Sequence, residues 1–157
     1  MVCRVLDSNY TSALAKIETI NDMPLVYAPN AQALAGITDL LTDYSERLKR
    51  FVIFDSIKGE NPSNVTKPNP STNAALYYPW ISVKPTELSQ LCLIPPGGHI
   101  AGIYARNDIE RGIHKAPANQ LVKGASGLEY PITDSQQDEL YSKNINCIRK
   151  FDCRGNY

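Results

Sequence analysis

The chain has 157 residues, enough for one domain with a real core and too few for two comfortable ones. Hydrophobic residues make up 43% and charged residues 20%, an ordinary globular composition, and sixteen basic side chains balance sixteen acidic ones. That balance leaves no polycationic stripe to neutralise phosphates, which argues against nucleic acid as the main ligand.

No apolar run reaches the roughly 18 residues of a membrane span, so no membrane insertion is expected. The stretch Met1–Lys16 has no apolar signal core, which argues against secretion by the usual route. Cys3, Cys92, Cys147 and Cys153 form no CxxC pair, and His99 and His114 lie far from them in sequence apart from Cys92 near His99, so no zinc-ligand spacing is present. Reduced thiols in a cytoplasmic protein are the expectation, although Cys147 and Cys153 are close enough in sequence to meet.

Taken in chain order, residues 9–20 place Ala13, Leu14, Ile17 and Ile20 at helical spacing. Residues 23–28 form a short apolar run, read as a buried strand, and Pro29-Asn30 punctuates it with Asn30 as a candidate N-cap. Leu34, Ile37, Leu41, Tyr44 and Leu48 then recur at steps of three and four, which predicts an amphipathic helix of about five turns over 31–49. The apolar run 51–57 predicts a strand covered on both faces. Strand, helix and strand together predict a βαβ unit with a right-handed crossover, hence an α/β fold with a partly parallel sheet flanked by helices.

Residues 58–73 are rich in proline and asparagine and read as an exposed loop. Residues 75–83 predict a strand that Pro79 confines to an edge or a bulge, with its aromatics in the core or at a subunit contact. Residues 91–94 make another short apolar run. Pro95 and Pro96 suit a first helical turn, Ile100 to Ala105 give a small-residue helix face that can approach a sheet, and Gly112 ends the helix after the charged segment Arg106–Arg111. Strand and turn material follows to Glu129. A capped surface helix begins at Thr133 or Asp134, and a last strand spans 145–151.

Catalysis has few places to sit. His99 and His114 are the only imidazole bases, and both fall in the stretch Cys92–Asn119. No GxSxG elbow accompanies them, and Gly97 and Gly98 stand where a serine would be wanted upstream of His99. His114 reads as a hydrogen-bonded turn residue. The Pro-Pro-Gly-Gly turn lacks the lysine and hydroxyl of a phosphate loop. Asp55 closes a strand at the end where open α/β sheets bind ligands, yet a loop anchor or cap explains it at least as well. Asp108 and Glu110 share a charged turn, read as a solvated face or a subunit contact. No catalytic residue, metal ligand or cofactor-binding residue is therefore assigned.

Three segments carry a resemblance: Leu76–Trp80, Ile94–Arg106 and Arg111–Asn119, with Asn144–Arg149 and Arg154-Gly155 following. In that order they resemble the core of contractile tail sheath proteins of bacteriophages and of phage-tail-like injection particles, over roughly residues 23–155. The resemblance implies a subtilisin-like core architecture and a non-enzymatic structural subunit. It further implies helical stacking around an inner tube, contraction that drives the tube through a target envelope, and a place in a virion tail or tail-like particle assembled in the host cytoplasm. The implied partners are other sheath subunits, the tube protein and the baseplate. Family members extend beyond both ends of this segment, so residues 1–157 are expected to act as a single domain, an incomplete sheath core that is soluble and forms no tubes by itself. The charged segments Arg106–Arg111 and Lys143–Arg154 are expected to form salt bridges between subunits. The residues taken alone leave an α/β hydrolase and a small binding module open as alternatives.

Overall fold

The structure, a computed structural model, describes residues 7–20, 25–68, 70–85 and 90–150. Its centre is a four-stranded, wholly parallel sheet in the order β1 (Val26–Tyr27), β2 (Val52–Asp55), β3 (Ala74–Tyr78), β7 (Ile145–Cys147). Every residue of β2 is buried, as its unbroken apolar run requires when both faces are covered. Side chains alternate across the sheet. Val52, Phe54, Leu76 and Tyr78 join one core cluster with helices α1 (Asp7–Glu18), α2 (Ile37–Leu48) and α4 (Asp134–Ser142). Ile53 and Tyr77 point the other way, into a cluster with α3 (Gly97–Arg111).

The parallel pair β1–β2 with α2 between them is the βαβ unit expected from the sequence. Its helix is shorter than the apolar periodicity suggests. Ala31–Ala33 form a single 3-10 turn, Leu34 is extended, and Gly36, at φ 77°, holds the left-handed conformation that starts α2. Apolar spacing continues across the break because Leu34 still packs on the core, and only Gly36 marks the interruption. Asn30 is left-handed and caps the 3-10 turn without a side-chain hydrogen bond.

Pro79 sits on no edge strand. The predicted 75–83 strand is two strands: β3, central in the parallel sheet, and β4 (Ile81–Val83), central in a second, antiparallel sheet of order β5 (Cys92–Ile94), β4, β6 (Ala125–Leu128). Pro79 lies between them, where the chain changes sheets and no ladder hydrogen bond is asked of it. The 58–73 segment forms no helix or strand among the described residues, but Pro62, Val65 and Ser71 are buried, so it lies over the core and is only partly exposed. The α1 helix begins and ends about two residues earlier than the 9–20 pattern, with Leu14 buried and Ile20 exposed. At α4 the capping box matches expectation: the Thr133 hydroxyl accepts from Gln136 N–H while the Gln136 amide accepts from Thr133 N–H. The last strand, β7, ends at Cys147, short of the 145–151 expected, and Phe151 lies outside the described residues.

Candidate functional site

Parallel sheets present a crevice beyond the carboxyl ends of their strands, and this is where a ligand would be sought. The crevice here is filled by the chain itself. Asp55, the last residue of β2, is buried, and its Oδ1 accepts the Gly97 N–H of α3 at 2.7 Å. Its Oδ2 accepts the Tyr27 hydroxyl, from the end of β1, at 2.7 Å. A carboxylate thus occupies the positive end of the α3 dipole, the position a phosphate takes in nucleotide-binding α/β folds. A Cβ on Gly97 would overlap the Tyr27 ring and come within 2.7 Å of Asp55 Oδ1, so the approach needs glycine. Burial pushes the Asp55 carboxyl above its ordinary range, against the opposing pull of its hydrogen bonds from Tyr27, Gly97 and the Asn30 backbone. Burial and the neighbouring Asp55 also push the Tyr27 phenol up, so it stays a donor.

The aromatics ending β3 are anchors too. Tyr78 donates to Glu60 O at 2.9 Å and Trp80 Nε1 donates to Ser56 O at 2.8 Å, pinning the segment after β2. Tyr130 donates to Gly59 O, and Glu129 accepts the Gly59 N–H. On the α3 side Tyr77 and Tyr104 share a hydrogen bond of 3.1 Å, with Phe51 against the Tyr104 ring.

His99 is half-buried on α3 and faces the turn at Gly124, while His114 is exposed beyond the end of α3 with its ring against Gly112. Neither imidazole has a hydrogen-bond partner among the described residues, so His114 is not the hydrogen-bonded turn residue expected, and no nucleophile–base–carboxylate relay is assembled there. Cys92 and Cys147 are free thiols; burial pushes Cys147 up to about 11, which leaves it almost wholly protonated at neutral pH. Cys3 and Cys153 lie outside the described residues. No group of three His, Cys, Asp or Glu side chains is placed to hold a metal among the described residues.

The charged segments divide. Asp108, Ile109, Glu110 and Arg111 are all exposed. Lys143, by contrast, bridges Glu139 at 2.9 Å and donates to Ser63 O, and Arg149 bridges Asp134 at 2.7 Å and donates to Gln137, so both cations are engaged inside the chain. Residues 151–154 lie outside the described residues. The apolar side chains of Ile109, Ile113 and Leu121, 86%, 88% and 73% exposed, are the surface feature that periodicity could not flag, since each stands in charged or turn sequence.

Fold and crevice together define a class: a three-layer α/β domain in which a buried carboxylate of the chain, in place of a ligand, meets the helix at the strand ends. The comparisons narrow this class to one family. The profile of the phage tail sheath protein central domain matches residues 7–156, and the chain belongs to that family. A prophage major tail sheath protein described for Pseudomonas aeruginosa (strain UCBPP-PA14) is 23% identical over 123 residues, which is 77% of this chain and 32% of that protein. The helical sheath of the anti-feeding prophage in its contracted state is 32% identical with a TM-score of 0.73, covering 98% of this chain and 43% of that one. The PVC sheath complex of an extracellular contractile injection system, also contracted, is 31% identical with a TM-score of 0.74, covering 92% and 41%. The chain therefore spans between a third and a half of the length of these relatives.

Proposed function

We propose that this chain is the core of a structural sheath subunit, which stacks helically around an inner tube and contracts to drive that tube through a target envelope. The observation that carries the reading is the likeness over 98% of the chain, at 32% identity, to a helical sheath in its contracted state. On this reading residues 1–157 act as a single domain, and the role is structural rather than enzymatic. Its partners are other sheath subunits, the tube protein and the baseplate, with no nucleic acid and no membrane insertion. It works in a virion tail or a tail-like particle and is assembled in the host cytoplasm. A crevice closed by Asp55, Tyr27 and Gly97 supports a scaffold over a hydrolase.

Co-expression of the complete gene product with its tube protein tests the reading by negative-stain microscopy. Striated sheaths, in long narrow and short wide forms, are expected. A product that forms no sheath with its tube, and instead shows a hydrolytic activity lost on His99→Ala, would overturn it.

A further inference from the structure

From two surfaces at opposite ends of the molecule, we infer that copies of this chain bind head to tail, the projecting end of α3 on one copy seating against the outer face of α4 on the next. The inference rests on the sheath reading and names the surfaces that reading leaves open.

The α3 surface projects. Its first three turns alternate buried and exposed residues against the sheet, but Asp108 to Arg111 are exposed without interruption, as are Ile113, His114, Lys115 and Ala116. The loop then returns along the helix. The Lys115 carbonyl accepts the Asn107 amide, Val122 packs with Ile100 and Ile103, and Gly124 lies beside His99. Ile109, Ile113 and Leu121 are therefore carried on one projecting unit, nearly bare. Over residues 106–123 four basic side chains (Arg106, Arg111, Lys115, Lys123) stand against two acidic ones (Asp108, Glu110). The unit is apolar and net positive.

The α4 surface is its counterpart. Leu140 is buried, and the opposite face exposes Asp134, Asp138 and Tyr141, which follow one another at helical spacing of four and three. Tyr141 is 79% exposed. Of the three acidic side chains on this helix, Asp134 is bridged by Arg149 and Glu139 by Lys143, which leaves Asp138 as the carboxylate without an ion-pair partner among the described residues and the surface with one net negative charge. A bare aromatic beside the unpaired Asp138 fits the isoleucines with their basic surround.

Placement decides the geometry. The α3 helix packs on β1 and β2, at one end of the sheet, and α4 packs on β7, at the other. They also cover opposite faces, since Ile100 and Ile103 cluster with Ile53 while Leu140 clusters with Phe54 and Tyr78. Complementary patches set apart in this way make a heterologous contact, which extends as an open array rather than closing as a two-fold dimer.

Sedimentation velocity on the 157-residue chain, over a wide concentration range at low salt, tests the contact. The wild type is expected to shift progressively to larger species, and added salt to reverse the shift. Ile113→Glu and Tyr141→Arg should each weaken self-association at least about tenfold, while an equimolar mixture forms a 1:1 heterodimer and grows no further, because each variant retains only the face the other has lost. Both positions are exposed, so melting temperatures should stay at the wild-type value; Lys115→Glu and Asp138→Lys give a second pair should either variant melt early. A wild type that stays monomeric throughout, or loss with Ile113→Glu alone, or a mixture that forms no heterodimer, would overturn the contact. Sheaths formed by the complete gene product alongside any of those results would leave the sheath reading standing; head-to-tail association by a product that forms no sheath would do the reverse.

Discussion

Asp55 sets two demands that one side chain answers. The Tyr27 hydroxyl and the Gly97 N–H both need an acceptor where the strand ends meet α3, and a short, buried carboxylate at the end of β2 reaches both. Asp55→Ala leaves two donors unpaired and is expected to cost about 3 kcal/mol, read as a shifted denaturation midpoint at unchanged slope. Asp55→Asn keeps an acceptor for Gly97 and should cost much less. It should also change the response to pH. Because burial raises the Asp55 pKa, the folded chain holds this proton where the unfolded chain has lost it, above a pH of about 4. Stability from this group is therefore full at acid pH and falls as pH rises through the raised value. Denaturation series across that window should show a shallower fall for Asp55→Asn than for the wild type, with Glu60, raised by the same cause, keeping part of the slope. An unchanged slope would remove Asp55 from this account. The role of Asp55 as an anchor was readable from its place at the end of an apolar run. Its partner was not, because Gly97 lies 42 residues away and strand order decides the meeting.

Between elements, Arg50 does for α1 what no local signal could announce. Its guanidinium donates to Ile17 O and Ile20 O at 2.8 Å, takes up the last carbonyls of the α1 region, and donates to the Tyr44 hydroxyl on α2. With Leu14 it is the buried link that fixes α1 against α2. Arg50→Met keeps the stem but leaves those carbonyls without donors, so limited proteolysis should cut within residues 7–20 well before the rest of the chain. Equal resistance in variant and wild type would show that apolar packing alone holds α1. The sequence pattern revealed those elements whose signals are local: the apolar run of β2, the capping box of α4, the glycine stop after α3 at Gly112. It misjudged those set by distant neighbours. The 31–49 periodicity runs through a break that only Gly36 betrays, and Pro79 reads as an edge or a bulge because a change of sheet leaves no mark along the chain.

At the scale of the molecule, order should be greatest where two layers cover one strand. Amides of β2 and β3, paired on both sides, are expected to exchange most slowly with deuterium, and those of residues 108–124 most quickly. Protection of 108–124 that rises with protein concentration would report the head-to-tail contact directly. The family was legible before the fold, since its motifs are local strings, whereas the two complementary surfaces needed the third dimension to be seen apart. The closed crevice carries one more consequence. A joint between helix and sheet that is completed by a soluble anion has an occupancy that varies with dilution, ionic composition and competitors. Here the carboxyl group is tethered by the backbone, so its effective concentration beside α3 is fixed by chain geometry, and neither dilution nor competing ions can empty the seat. Each copy can then behave as a rigid tile, and whatever movement an array of such tiles undergoes is left to the seams.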